Sequence, residues 1–222
     1  MSHFELQPRI RRSYCRYLEN LDVAGFVRSV ASDYTLATLH RLVDHGDRVT
    51  RRSAFLAMSL IGGEESIAAL GHGLRDSDRG VRMIAEDGLL SIWSRGPSAG
   101  QRGQLGLVAC CNAAARYAEA HDVVDQILAV APQFGHAWYL RCKASAGMGF
   151  HSEAIADGER ALECEPMHFL AVCAMADCYG EEGELSAAVS CLQWALRIHP
   201  HLESARVQLR RLKRVLREQT DY

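Results

Sequence analysis

The sequence predicts an all-α protein, a right-handed α-solenoid in which helical hairpins stack side by side into a superhelix. Three observations predict this fold: a 34-residue repeat in the C-terminal half, a 31-residue repeat in the N-terminal half, and 48% hydrophobic residues with only five prolines among 222 residues. Repeats of about 20 to 50 residues are typical of proteins in which each unit buries its apolar face against the next unit.

The longer repeat is marked by Pro132, Pro166 and Pro200, which follow one another at 34-residue intervals. Counting back from each proline defines three units, 101–134, 135–168 and 169–202. Small residues recur at two further equivalent positions, namely Ala115, Gly149 and Gly183, then Ala120, Ala154 and Ala188. The first set permits a tight turn between two helices and the second a close helix–helix contact, while proline ends the second helix because it lacks an N–H donor.

This 34-residue pattern resembles the tetratricopeptide repeat. The residues that match the family signature are Trp138, Ala154, Ala161 and Pro166 in the second unit, and Ala176, Tyr179, Ala188, Ala195 and Pro200 in the third. The first unit departs from the signature, because Gln104 and Cys111 stand where large aromatic residues are usual. The resemblance covers about half of the chain and implies a groove lined by the first helix of each unit.

The 31-residue repeat aligns the segment 47–54 with the segment 78–85, each beginning with Asp and carrying an Arg five residues into it. Apolar residues keep the same register in the pairs Leu39 and Leu70, Val43 and Leu74, and Ile61 and Ile92. This pattern resembles the HEAT repeat. Asp47 and Asp78 are expected to cap the second helix of each pair, and Arg51 and Arg82 to reach an acidic turn of a neighbouring repeat.

The flanking segments complete the predicted organisation. Pro8 and Asp22 each suit the start of a helix before the first repeat, and apolar residues at helical spacing follow residue 202 among many arginines. The predicted boundaries are capping helices in 1–34, two HEAT-like units in 35–95, a short linker in 96–103, three tetratricopeptide units in 101–202 and a capping helix in 203–218. Trp93 is expected to pack the HEAT-like array against the first tetratricopeptide helix.

Charge and hydropathy exclude several classes of function. The net charge of −2 divides into +1 for residues 1–100, −6 for 101–202 and +3 for 203–222, so no segment is basic enough to make nucleic acid the expected partner. No apolar run is long enough to span a membrane, and the first five residues lack the pattern of a signal peptide. We therefore expect a cytoplasmic protein without a membrane partner.

The sequence contains few signs of catalytic or metal chemistry. Its eight cysteines include no Cys-x-x-Cys pair, and its ten histidines form no ligand motif, so the thiols are interpreted as packing residues. The carboxylate pairs Glu64-Glu65 and Glu181-Glu182 are interpreted as solvated. No nucleophile, phosphate-loop or dinucleotide motif is present. We expect a protein that is not an enzyme and that uses no metal or cofactor.

Function in a solenoid usually resides on its concave face. The tetratricopeptide resemblance implies a groove that binds a protein or peptide, so the chain is predicted to be an interaction scaffold or adaptor of unknown oligomeric state. The predicted groove residues are Arg102, Asn112, His136, Tyr139, Lys143, Asp177, Arg211 and Arg214. The family's geometry also places Leu105, Leu170 and Cys173 at exposed groove positions. The competing interpretation is that all of these residues form a solvated surface without a ligand.

Two other functions stay open. HEAT-like arrays occur in bilin lyases, so an enzyme accessory or lyase-like role is an alternative; it would require a reactive Cys or His cluster in the concavity, which the sequence does not reveal. Nucleic-acid binding is a less favoured alternative. It would use the basic tail or a set of arginines in the first helix: Arg9, Arg11, Arg12 and Arg16.

Overall fold

The computed structural model describes residues 8–95 and 98–220, and within these ranges the chain forms helices and no strand. The α-helices are α1 (Arg9–Asn20), α2 (Val23–Asp33), α3 (Leu36–His45), α4 (Arg48–Ile61), α5 (Ile67–Gly73), α6 (Arg79–Trp93), α7 (Ala99–Ala113), α8 (Tyr117–Val130), α9 (Gly135–Gly147), α10 (His151–Cys164), α11 (Phe169–Glu181), α12 (Leu185–Ile198) and α13 (Glu203–Thr220). A short 3₁₀ helix, Glu64–Ser66, precedes α5. The predicted all-α fold of helical hairpins is confirmed.

The chain divides into two compact units with the boundary between Ile92 and Trp93. The predicted linker differs from the structure, since residues 99–103 already belong to α7. The Ser98 side chain explains the early start of this helix, because it accepts a hydrogen bond from the Gln101 backbone N–H at 3.3 Å and so caps it. The remaining linker residues 96 and 97, and residues 1–7 of the predicted cap, lie outside the described ranges.

In the first unit α3 packs against α4, and α1 and α2 also contact α4. Helices α5 and α6 approach closely, since an added Cβ on Gly73 would lie 2.7 Å from the Ala85 side chain and one on Gly88 would lie 2.9 Å from Leu70. The apolar residues that defined the 31-residue repeat fill its core: Leu39, Leu70 and Leu74 are fully buried. The apolar residues that recur in the repeat therefore mark the face of each helix that is buried in the core.

Asp47 and Asp78 cap α4 and α6 as predicted. Their side chains accept hydrogen bonds from the backbone N–H groups of Thr50 at 2.8 Å and Val81 at 3.0 Å. Each cap satisfies an N–H donor that has no partner within the helix. The repeated aspartate is thus a local signal that begins the second helix of each pair.

Arg51 reaches the next repeat, as predicted. It forms a bidentate ion pair with the Asp76 carboxylate, with N–O distances of 2.7 and 2.8 Å. Arg82 does not: its guanidinium donates to the backbone carbonyls of Asp76 and Ser77 in the turn that precedes its own helix. The equivalence of the two arginines in sequence therefore does not extend to their contacts, because Arg82 finds unpaired carbonyls within the reach of its own side chain.

The second unit contains three hairpins, α7 with α8, α9 with α10 and α11 with α12, and α13 packs against α12. The backbone turns at three equivalent positions with positive φ, 57° at Ala115, 84° at Gly149 and 80° at Gly183. This left-handed conformation ends the first helix of each hairpin and reverses the chain. The predicted tight turns are present in all three hairpins.

The second set of small residues lies where the two helices of each hairpin meet: Ala120, Ala154 and Ala188 are fully buried. The second helices end at Val130, Cys164 and Ile198, each two residues before its proline. A methyl side chain at the crossing allows close backbone approach, and the residue before proline is biased away from the helical conformation. These two constraints fix the register of the hairpins.

Candidate functional site

A cavity of about 600 Å³ in the second unit gathers side chains from the first helices of its hairpins. It is lined by Asn112, Tyr117, Tyr139, Lys143, Ala146, Gly147, His151, Leu170, Cys173, Ala174, Asp177, Cys178 and Glu181. Most of these residues lie on α9 and α11. The face predicted to form a groove therefore contains a concavity of a size that suits a bound segment or small molecule.

Four of the eight predicted groove residues line this cavity, namely Asn112, Tyr139, Lys143 and Asp177. Lys143 and Asp177 are exposed, as expected of groove positions. Tyr139 is only partly exposed, and burial raises its pKa to about 12, so its phenol stays protonated and can donate a hydrogen bond.

Asn112 is buried, with 7% of its surface exposed, although it was projected onto an exposed position. Its amide nitrogen donates to the Leu140 backbone carbonyl at 2.9 Å, which ties α7 to α9. Its carbonyl oxygen Oδ1 has no hydrogen-bond partner among the described residues, and the same holds for Nδ1 of His151. Two buried polar atoms at the cavity thus lack a partner within the described protein, and such atoms are destabilising when left unsatisfied.

His136 does not line the cavity. It lies beside His168, with His136 Nδ1 and His168 Nε2 3.1 Å apart. His168 Nδ1 accepts from the Ala171 backbone N–H at 3.2 Å and caps α11, so the His168 proton sits on Nε2 and is donated to His136. Burial lowers the pKa of His136 to about 4 and lowers that of His168 well below its ordinary value. Both rings are neutral at pH 7.

Trp93 is buried, as predicted. Its ring stacks on His168 at 4.2 Å and contacts Phe169 at 5.5 Å, at the start of α11. Sequence spacing could not reveal this contact, because Trp93 and His168 are 75 positions apart and neither belongs to the periodic pattern.

The three remaining predicted residues are arginines that lie outside the cavity lining. Arg102 is exposed and donates from Nε to the Arg95 backbone carbonyl at 3.0 Å. Arg211 and Arg214 are exposed on α13, and Arg214 lies 3.9 Å from the Glu218 carboxylate. Leu105, also projected onto the groove, is instead 3% exposed in the core of the first hairpin. The position of a residue along the helical repeat therefore did not predict whether its side chain is buried, as for Leu105, or exposed, as for the three arginines.

A thiol pair beside the cavity was missed by sequence reasoning. Cys178 lines the cavity with His151, and Cys142 lies on the neighbouring helix α9. The Cys142 thiol and the His151 ring lower the pKa of Cys178, against the opposing effect of burial. The only signal in the sequence was that both cysteines lie on first helices one repeat apart.

Cys173, on the same helix as Cys178, provides a contrast within the same cavity. It is more exposed, yet burial and the neighbouring Asp177 raise its pKa to about 12. A thiolate is the reactive form of cysteine. The surroundings therefore shift the pKa values of two thiols of one cavity in opposite directions.

A second cavity, of about 380 Å³, lies in the first unit and is lined in part by His40, Asp44, His72 and Asp76. Both Asp76 oxygens are occupied by Arg51. Among the described residues, no group of three or more His, Cys, Asp or Glu side chains is placed to hold a metal ion. We therefore take the larger cavity as the candidate site.

The arginines of α1, which carried the nucleic-acid alternative, lie partly against acidic groups. Arg11 pairs with the Asp47 carboxylate at 2.6 Å, and Arg9 lies 4.0 Å from Asp33. Part of their charge is thus neutralised within the protein.

Comparison with known proteins supports the two repeat types. Residues 6–89 match the family model for HEAT repeats. Over these residues the N-terminal part of the chain is similar to HEAT repeats. A curated relative from Rhizobium etli, named as a TPR repeat-containing protein, is 28% identical over 91 residues, which are 41% of this chain and 45% of that protein. The chain thus spans about half the length of that relative. The predicted resemblance to both repeat families is confirmed.

Solved structures of tetratricopeptide proteins resemble the chain at low identity. A segment of MamA from Desulfovibrio magneticus is 15% identical, with 88% of this chain and 97% of that chain covered and a TM-score of 0.43. The TPR2AB domain of yeast Sti1, in its complex with an HSP90 peptide, is 17% identical, with 92% and 88% covered and a TM-score of 0.46. Within the described residues, no helix has the length and apolar character needed to cross a bilayer.

Proposed function

We propose that this protein is a non-catalytic interaction module that binds an extended segment of a partner protein in the cavity between α9 and α11. The observation that carries the proposal is the unpartnered Asn112 Oδ1, a buried acceptor at a cavity that is lined by both apolar and charged residues. A backbone N–H of a bound peptide would satisfy this acceptor, and peptide backbone is the one ligand chemistry that every protein segment offers.

The cavity's side chains define what such a segment would carry. Leu170 and Ala174 provide an apolar surface, and the protonated Tyr139 adds a hydrogen-bond donor. Lys143 favours an acidic side chain, while Asp177 and Glu181 at the other side of the cavity favour a basic one. The preferred ligand is therefore a segment with a small apolar residue flanked by opposite charges.

Arg211 and Arg214 remain proposed outer contacts of the segment. Gln208 of α13 donates to the Asp177 carboxylate at 2.5 Å, so this part of α13 borders the cavity. Arg211 follows Gln208 by three residues and shares its helix face. Arg102 and His136 likewise stay proposed contacts, although neither lines the cavity.

An affinity on the order of micromolar, about −8 kcal/mol, is expected for a groove with so few charged anchors. Ordering an extended segment offsets much of the energy gained from its contacts. Such an affinity suits an adaptor whose complexes form and dissociate.

The experiment uses the fact that the chain has only two lysines, Lys143 and Lys213. Both are exposed, but only Lys143 lines the cavity. Affinity capture with mass spectrometry would compare the wild type with Lys143→Glu and with the matched control Lys213→Glu. We expect Lys143→Glu to reduce the amount of partner protein recovered with it at least fivefold. Lys213→Glu should recover as much partner protein as the wild type.

Acetylation of lysine by an amine-reactive ester supplies an independent readout. A partner seated in the cavity should slow acetylation of Lys143 and leave Lys213 reactive. Equal recovery with both variants, together with equal acetylation in the complex, would show that partners bind elsewhere.

A further inference from the structure

A cavity of about 280 Å³ in the first unit is lined by residues of α1 and α2. Its lining combines two guanidinium groups, Arg16 of α1 and Arg28 of α2, with the hydroxyl groups of Ser13 and Ser29. Among the described residues, neither guanidinium forms an ion pair with a carboxylate. The cavity therefore contains two positive charges that have no ion-pair partner in the described part of the chain.

Neutral hydrogen-bond donors lie beside these charges. The Ser13 and Ser29 hydroxyl oxygens are 2.8 Å apart and share one hydrogen bond. Each hydroxyl has one proton, so one of the two protons is left without an acceptor among the described residues. Asn20 accepts the Asp22 backbone N–H with Oδ1 at 2.9 Å, which leaves its amide N–H groups for another partner. Cationic and neutral donors together form a site that suits an oxyanion.

One carboxylate, that of Asp22, also lines the cavity and opposes an anion. It is held against the first turn of α2, where Oδ1 accepts the Gly25 backbone N–H at 2.8 Å. A Cβ on Gly25 would clash with this carboxylate, so the missing side chain provides the room that it occupies. The positive end of the helix dipole offsets part of its charge there. Two arginines and one aspartate leave the cavity with a net charge of +1.

The turn that joins α1 to α2 exposes apolar side chains next to the cavity. Leu21 lies between the lining residues Asn20 and Asp22, is 70% exposed and has a left-handed backbone with φ 56°. Leu18 and Val23 are also exposed. A bulky residue at positive φ is strained, whereas glycine adopts this conformation readily. An exposed and strained leucine is expected where a side chain contacts a partner.

We propose that this cavity and the adjoining turn bind a phosphorylated side chain in a segment of a partner protein. The phosphate would lie between Arg16 and Arg28, and an apolar neighbour in the segment would contact Leu18 and Leu21. A phosphate monoester carries a charge near −2 and three acceptor oxygens. It therefore uses two guanidinium groups and the neutral donors more fully than the two oxygens of a carboxylate do.

Two other polyanions suit this site less well. The surface of a negatively charged bilayer would meet the exposed carboxylates of Glu19 and Asp22 together with the apolar side chains. A nucleic-acid strand is bound by a series of cations, but Arg9 and Arg11 of α1 already lie against aspartates. A single phosphate group that enters the cavity avoids both costs.

The test titrates the full-length protein, isotope-labelled in arginine, with a short peptide of alanine and leucine around a central phosphoserine. The matched probe is the same peptide with serine. At roughly millimolar concentration, the phosphopeptide should shift the NMR signals of the Arg16 and Arg28 Nε–H groups. We expect it to bind at least about tenfold more tightly than the serine peptide, because charge-assisted hydrogen bonds are the strong ones.

Two arginine variants separate the cavity from the general charge of α1. Arg28→Gln should abolish the preference for the phosphopeptide. The matched variant Arg12→Gln should retain it, because Arg12 is exposed on α1 but does not line the cavity. Equal affinity for the two peptides, or an equal effect of the two variants, would overturn the proposal.

Leu21→Gly tests the turn. It should weaken binding of the phosphopeptide about threefold or more, because an apolar contact is lost. The midpoint of its urea unfolding should rise, because the backbone strain is removed, so the weaker binding would not result from misfolding. Unchanged binding in this variant would remove the turn from the proposed site.

The same titrations with phosphatidylserine vesicles and with a single-stranded oligonucleotide distinguish the other sources of phosphate. Neither should bind in a way that depends on Arg28. A loss of vesicle or oligonucleotide binding in Arg28→Gln would assign the site to that polyanion and overturn the proposal of a phosphorylated protein segment.

Discussion

Single residues set the turns of the second unit. Three equivalent positions adopt a left-handed backbone, two with glycine and one with Ala115 at φ 57°. An L-residue in this conformation places its Cβ close to the following carbonyl oxygen, which glycine avoids. The first hairpin therefore carries backbone strain that the other two lack.

Glycine at position 115 should remove the backbone strain of the first hairpin, and alanine at position 149 should introduce strain into the second. Ala115→Gly is expected to raise the free energy of unfolding by about 0.5 to 1 kcal/mol, and Gly149→Ala to lower it by about 1 kcal/mol. A Cβ at Gly149 meets no atom within 4 Å, so the second effect belongs to the backbone alone. Urea denaturation followed by circular dichroism measures both. A loss of stability in Ala115→Gly would mean that its methyl group packs favourably enough to outweigh the strain.

The buried imidazole pair gives the stability of the second unit a pH dependence. The folded-state pKa of His136, about 4, lies below the value near 6.5 of an unfolded chain. The unfolded state therefore takes up a proton before the folded state does, and stability present above pH 6.5 is lost as the pH falls toward 4.

We expect the free energy of unfolding to fall by on the order of 2 to 3 kcal/mol between pH 7 and pH 4 on account of His136. In His136→Gln this part of the slope should disappear, because glutamine does not titrate. Equilibrium unfolding at half-unit pH intervals provides the comparison. An unchanged slope in the variant would assign the pH dependence to other groups.

At the scale of elements, the helices of the first unit are joined by charged pairs with two hydrogen bonds each. Arg51 binds Asp76, and Arg52 binds Asp78 at 2.6 and 2.8 Å. Asp78 also caps α6. One carboxylate therefore both caps the N-terminus of α6 and forms an ion pair with Arg52 of α4. The Arg52 guanidinium keeps the pKa of Asp78 at about 2.

Asp47 and Asp78 make a matched test of this double role. Each caps a helix, but Asp47 pairs with Arg11 at a site where half of the aspartate side chain is exposed. We expect Asp47→Ala to cost about 1 kcal/mol and Asp78→Ala about 2 kcal/mol or more, because the second variant also leaves Arg52 without its carboxylate. Hydrogen exchange in α4 and α6 would report each loss. Equal effects would indicate that the cap alone matters.

The sequence revealed the elements better than their contacts. Local backbone chemistry determines the helix caps and turns, so these could be predicted from residue types. They are the caps at Asp47 and Asp78, the turns at Gly149 and Gly183, and the ends of the second helices before the prolines. The burial of Asn112, the Trp93–His168 stack and the Cys142–Cys178 pair arise from tertiary packing between residues 28 to 75 positions apart. No local pattern encodes them.

At the scale of the whole unit, each hairpin of the second unit contacts mainly the hairpins next to it in sequence. Stability in such arrays is close to a sum of unit and interface contributions. Damage to one hairpin should therefore spread to the next hairpin and weaken with distance along the array.

Leu192→Ala tests this within the second unit. Leu192 is fully buried in α12, and a cavity at such a site costs about 2 to 5 kcal/mol. We expect hydrogen exchange to accelerate strongly in α11, α12 and α13, and little in α7 and α8. Uniform acceleration across α7 to α13 would show that the unit unfolds as one cooperative block.

The hydrogen bonds of the neutral His136–His168 pair also fix which nitrogen of each ring carries the proton. Because the Ala171 N–H occupies Nδ1 of His168, and the proton of His168 occupies Nδ1 of His136, the remaining ring nitrogen of His136 must carry a hydrogen. Any group that approaches this nitrogen meets a donor and never a lone pair. A carbonyl oxygen would be accepted there and an amide N–H rejected, and turning the His168 ring over would remove the acceptor that caps the start of α11.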